Sequence, residues 1–169
     1  RVTELLAPAE DSYHKGQPAG GQTHYGAQAL ILMASLQATG GFDLADFAAR
    51  WQAYWAAGPA TYRDGATRTT LERLAEGLPV AEAGSPSTDL GGAARIAPLV
   101  VATAGLSEDE AVAAVWAQTG MTHKQTSVCE AAAFLTRAAR ASLGGASVAE
   151  AGLMKGFQGL LKYSDMTRG

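Results

Sequence analysis

Serine, threonine, aspartate and glycine are concentrated over Ser85–Pro98, S-P-S-T-D-L-G-G-A-A-R-I-A-P, which runs straight into an apolar segment. Ser85, Ser87, Thr88 and Asp89 each carry a side-chain oxygen that accepts from backbone N–H groups. Gly91 and Gly92 lack the Cβ that would hold a ligand away from the main chain. If a helix starts there, its unpaired N–H groups and partial positive charge suit a phosphate. The same residues also read as an ordinary cap followed by a turn, and residue types alone leave both open. Two of the three histidines, His24 in Q-T-H-Y-G and His123 in M-T-H-K-Q, stand just before predicted helices. A side chain there faces a cleft between helix ends or settles into the turn. With His14 they are too scattered for local metal-ligand spacing. Cys129 lies in an apolar helical stretch and reads as a packed thiol. No G-x-x-x-x-G-K-[ST], H-E-x-x-H, C-x-x-C or G-x-S-x-G pattern is present.

The elements that must position these groups are helical. Residues 1–21 hold Pro8, Gly16, Pro18, Gly20 and Gly21 with no apolar period, as a loop does. From His24 to Thr39 the chain is apolar nearly all round, which predicts a helix in the middle of a bundle, ended by Gly40 and Gly41. Asp43 caps a second helix whose Phe47, Trp51, Tyr54 and Trp55 share one face, as packing does more often than ligand stacking. Ala66 to Gly77 places Leu71, Leu74 and Ala75 inward. Ser107 with Glu110, and Ser147 with Glu150, form capping boxes ahead of apolar runs. Pro98 removes a backbone donor, so a kink or a late helix start is expected near it. The expectation is helices over 24–39, 44–57, 66–77, 91–104, 108–119, 124–142 and 148–162 with no sheet, an all-α, single-domain orthogonal bundle.

Composition narrows the function classes. Hydrophobic residues make up 47% and charged residues 17% of the 169, enough to fold around one real core. A net charge of −3, without any Lys/Arg cluster, offers no field for a nucleic-acid backbone. No apolar run is long enough to span a membrane, and no signal-peptide pattern is present. One cysteine makes no internal disulfide, which fits a reducing compartment, the cytoplasm. The chain opens on Arg1, which suggests a fragment.

Four stretches in this order, G-G-Q-T-H-Y-G-A-Q-A-L-I-L, G-G-F-D-L-A-D-F-A-A-R-W, S-T-D-L-G-G-A-A-R-I-A-P-L and T-H-K, resemble the ADP-ribosylglycohydrolase family, in particular its branch related to J1 crystallin. The resemblance covers nearly the whole chain. It implies an all-α fold, a cleft for ADP-ribose, two Mg2+ ions in active members, and hydrolysis of the bond joining ADP-ribose to an acceptor. The family's Thr-Asp-Asp-Thr-Gln metal motif, anchored on Gln28, falls on His24, Tyr25, Gly26 and Ala27, so no carboxylate remains. Neither the C-terminal Gly-Gly-Asp motif nor the acidic N-terminal segment has a counterpart, which makes 1–169 a central part incomplete at both ends. The Ser-x-Gly-Asn-Gly diphosphate motif maps onto Ser87 to Gly91. Ser87 and Gly91 match, and Asp89 would repel a diphosphate. His123 matches the Thr-His element along the ligand cleft. The resemblance thus implies a ligand site of Ser87, Asp89, Gly91, Gly92 and His123 near the start of the His24 helix. Arg95 is expected to point into the bundle and pair with a carboxylate such as Asp89. Two functions follow: a hydrolase when complete, acting on ADP-ribosylated substrates, or a non-catalytic crystallin-like or ADP-ribose-binding protein.

Overall fold

A computed structural model describes residues 4–153, and its elements are helices. Helix α1, His24–Thr39, starts where the Thr23 hydroxyl accepts from the Gly26 N–H at 3.4 Å. It ends at Gly40, whose φ of 71° is strain-free only for glycine. Asp43 caps α2, Leu44–Ala56, by accepting from Ala45 and Asp46 N–H, and Asp64 caps α3, Gly65–Ala75, through Thr67 N–H. The expected helix over 91–104 is two elements. A 3-10 turn covers Leu90–Gly92, and α4, Ala97–Ala102, begins later with Pro98 in its first turn, where a missing N–H costs nothing. Helix α5, Glu108–Gly120, carries the Ser107–Glu110 capping box, and α6 is Thr126–Leu143. The second box forms as well, since Glu150 accepts from Ser147 N–H at 2.9 Å. Residues 148–153 are helical, and the rest of the helix expected over 148–162 lies outside the described residues.

Helix α1 packs on α2 and α4, α5 packs on α6, and α4 lies against both α5 and α6. The aromatic stripe of α2 is core: Phe47, Trp51 and Trp55 are buried with Leu32, Leu99, Val115 and Met121. Cys129 is buried too. Helix α1 departs from its sequence pattern. Its inward face includes His24, Gln28 and Ser35, while Leu30 and Met33 are about half exposed. The inward polar groups are needed there. Gln28 Oε1 accepts from both Trp51 Nε1 at 2.8 Å and Arg95 at 2.7 Å, and Ser35 donates to Asp46 at 2.6 Å. Helix α3 likewise buries Ala66, Thr67 and Thr70 and leaves Ala75 exposed, with Leu71 and Leu74 half-buried. Thr70 is turned inward by its bond to the Thr122 carbonyl.

Candidate functional site

His123 is fixed first by the backbone. Ser85 N–H donates to the Thr122 carbonyl at 2.9 Å and Lys124 N–H donates to the Ser85 carbonyl at 2.8 Å, an isolated parallel bridge between Ser85 and His123. Gly84 permits this approach, because a Cβ there would run into the Gly120 carbonyl at the end of α5. The ring is then fixed by Arg95, which is 1% exposed. Its guanidinium donates to Gln28, the Gln118 carbonyl at 3.1 Å and Thr122 Oγ1 at 2.7 Å, and lies 5.6 Å over the Phe47 ring. Arg95 therefore points into the bundle as expected, but its partners are neutral oxygens and not a carboxylate. Burial lowers it to about 10, so it stays charged at neutral pH.

A guanidinium only donates, so the Thr122 oxygen accepts from Arg95 and its hydroxyl proton turns to His123 Nδ1, 2.9 Å away. With Nδ1 as the acceptor, the ring proton lies on Nε2, which faces Asp89 Oδ1 at 3.4 Å. Burial, then the Arg95 charge, lowers the His123 pKa below the usual imidazole value, against the pull of Asp89 and Asp64. The outcome is a buried neutral imidazole whose Nε2 has no hydrogen-bond partner.

His24 supplies a second buried ring at the first residue of α1. It is 4% exposed, neither nitrogen has a hydrogen-bond partner, and Nε2 lies 3.4 Å from Asp64 Oδ2. Aromatic rings enclose it: Tyr25 at 3.8 Å between centroids, Tyr62 at 5.4 Å and His14 at 5.4 Å. Burial pushes the Asp64 carboxyl up, but the adjacent His24 ring and the Thr67 N–H outweigh it and hold the group well below the usual carboxylate range. Tyr25 lies against His24 and reaches Gly91, which also borders His123. An added Cβ on Gly91 would be 3.1 Å from both Tyr25 Cε1 and His123 Nε2. Burial, Asp89 and Asp64 raise the Tyr25 phenol pKa.

The structure thus brings Asp89, Gly91, Gly92 and His123 together beside the start of α1. The two glycines also have a part within the fold itself. Their missing Cβ atoms make room for His123 and Tyr25, since a Cβ on Gly92 would stand 3.0 Å from His123 Nδ1. The helix-terminus phosphate site is absent as drawn. The 3-10 turn is three residues long, and the Asp89 carboxylate already accepts from Gly91 N–H. Ser87, half-buried, accepts from Asp89 N–H at 3.3 Å. Gln28 enters from sequence only as the anchor of the metal-motif alignment, and Asp64, Gln118 and Gly84 do not enter at all. Only Asp64 carried a local signal, as a cap residue ahead of Gly65–Ala75.

At the positions aligned with the family's metal motif, His24, Tyr25, Gly26 and Ala27, the donor set does not suit Mg2+. The ion wants hard oxygens in an octahedral array, and the nearest carboxylate, Asp64, is committed to His24 and to the cap of α3. Among the described residues no group of three or more His, Cys, Asp or Glu is placed to hold a metal ion.

The sequence profile of the ADP-ribosylglycohydrolase family matches residues 2–167. The chain belongs to that family. A solved structure of an "ADP-ribosylglycohydrolase-related protein complex" is similar at 28% identity and a TM-score of 0.65, over 85% of this chain and 50% of that one. The chain therefore spans about half the length of that ADP-ribosylglycohydrolase-related relative. No curated protein matches the sequence. The all-α fold agrees with this family, which acts in general on ADP-ribosylated substrates and is generally metal-dependent. No helix among the described residues is long and apolar enough to cross a membrane.

Proposed function

We propose that residues 1–169 form the central part of an ADP-ribosylglycohydrolase domain, of the branch related to J1 crystallin, and bind an ADP-ribosyl group beside the start of α1. The observation that carries this is a pair of buried imidazoles without hydrogen-bond partners, His24 stacked on Tyr25 and His123 beside Asp89 and Gly91. In a family built to hold ADP-ribose, buried ring nitrogens without a hydrogen-bond partner suit contacts with ligand polar groups. The complete domain hydrolyses the glycosidic bond: water oxygen joins the anomeric carbon, and the acceptor leaves with a proton. A second reading, a non-catalytic binder, is favoured by one specific feature, the His24–Asp64 pair at the position aligned with the metal motif. A cytoplasmic setting belongs to the proposal and is supported by the lone buried Cys129.

Calorimetric titration with ADP-ribose tests it. Saturable binding is expected, weakened by Gly91→Val, which displaces His123 and Tyr25. Asp89→Asn should tighten it several-fold, because the substitution keeps a capping oxygen and removes a charge that repels diphosphate. A folded protein that shows no saturation, or binding indifferent to both changes, leaves only the helical-protein reading.

A further inference from the structure

We infer that Thr122 is a positioning residue: it turns the lone pair of the His123 ring into the bundle and leaves an N–H at Nε2, so that His123 meets a ligand as a hydrogen-bond donor and not as a base. Use of that donor by a ligand rests on the ADP-ribosyl reading, whereas the setting of the ring does not. The Thr122 main chain is pinned without help from its side chain. Its N–H donates to the Thr119 carbonyl at 3.2 Å, and its carbonyl accepts from Ser85 N–H at 2.9 Å and from the Thr70 hydroxyl at 3.3 Å. The buried hydroxyl oxygen is held 2.7 Å from Arg95 Nη2 and 2.9 Å from His123 Nδ1. A guanidinium has no lone pair to offer, so Arg95 takes the oxygen as acceptor and the hydroxyl proton is left for Nδ1. A second proton on Nδ1 would face that hydroxyl proton and add a charge beside a guanidinium sealed from water. Burial, then the Arg95 charge, lowers the His123 pKa in the same sense, against Asp89 and Asp64.

The other edge of the ring is left over. Nε2 has no hydrogen-bond partner although His123 is buried, and a buried donor without an acceptor marks a place that something else completes. Asp89 Oδ1, 3.4 Å away, is engaged with Gly91 N–H. The space that a Cβ on Gly91 would take is bounded by Nε2, Asp89 Oδ1 and Tyr25 Cε1. The Asp89 side chain is half-exposed, so a ligand oxygen reaches Nε2 by displacing it. The group that fits there is an acceptor, a phosphate, hydroxyl or carbonyl oxygen, and an ammonium or amide N–H is refused. In a hydrolysis the proton taken from water does not go to His123, because its lone pair is engaged with Thr122.

Heteronuclear NMR of the imidazole nitrogens in the ligand-free 169-residue chain reads the ring proton directly. At neutral pH the His123 ring is expected as one neutral tautomer, with Nδ1 bare and Nε2 protonated. Thr122→Ser keeps the hydroxyl and should keep that pattern. Thr122→Val keeps the shape and removes the donor, so the Nδ1 signal should shift and a tautomer protonated on Nδ1 should appear. A parent ring that is charged, or protonated on Nδ1, overturns the inference whether or not the variants fold. So does a ring unchanged by Thr122→Val, or one altered as much by Thr122→Ser. Titration with ADP-ribose then reads the use of the donor, with several-fold weaker binding by Thr122→Val and parent-like binding by Thr122→Ser expected. Equal, measurable affinities of all three overturn the donor role. The expected ring pattern with no ADP-ribose binding in any of them leaves the positioning role standing and removes the ADP-ribosyl reading.

Discussion

The two imidazoles depend on residues with little chemistry of their own. Gly84 is the sharpest case. A methyl group at its Cα meets the Gly120 carbonyl, which is backbone held at the end of α5 and cannot swing aside. At Gly91 the nearest atoms are the ends of the Asp89, His123 and Tyr25 side chains, and Asp89 is half-exposed and free to turn. We therefore expect Gly84→Ala to destabilise by about 2–3 kcal/mol in urea unfolding and Gly91→Ala to cost less. An equal or reversed order would show that the Ser85–His123 bridge does not need the close approach at Gly84. Nothing in A-E-A-G-S-P announces this, because the partner atom comes from a residue far along the chain. Arg95 teaches the same lesson in reverse. Its inward direction was expected from a place in the first turn of the helix that starts near Gly91. Its neutral partners were not, since Gln28 comes from α1 while Gln118 and Thr122 come from the end of α5.

At the scale of the element, α3 shows how a cap becomes part of a site. Asp64 closes the first turn through Thr67 N–H at 2.7 Å and at the same time faces His24 Nε2. Its folded pKa lies below its unfolded value of about 3.9, so it contributes stability above about pH 4 that is lost as the pH falls toward the folded pKa. Asp64→Ala should cost about 1–2 kcal/mol at pH 7, measured by chemical denaturation. The gap from the parent should narrow by about pH 3. A gap independent of pH would mean that the carboxylate is not the group His24 faces. The split of the expected 91–104 helix belongs to this scale as well. Asp89 turns the chain into a 3-10 turn, Pro98 fixes the first turn of α4, and Arg95 lies between them with its side chain drawn to Gln28.

For the whole molecule, family and site chemistry point in different directions. Membership argues for hydrolysis, while the positions that should bear paired carboxylates carry His24, Tyr25, Gly26 and Ala27. A dication held by water and neutral groups lacks the charge environment that fixes and activates a bound water. The expected outcome is that the 169-residue chain releases no more free ADP-ribose from an ADP-ribosylated protein with Mg2+ than with chelator. Robust turnover abolished both by chelation and by Asp89→Asn would place a metal at Asp89 and refute this.

The sequence by itself determined the helix starts after Asp43, Ser107 and Ser147, because capping residues act on N–H groups two or three positions away, and it determined the aromatic core face of α2 through its helical period. It also brought Gly91, Gly92 and His123 into one hypothesis through motif order. Tertiary structure alone decided what the glycines are for, what Arg95 binds, and that α1 turns Gln28 and His24 inward while Leu30 and Met33 face out. Those outcomes depend on which buried donors lacked an acceptor once the helices had packed, and a donor such as Trp51 Nε1 finds its acceptor on another helix.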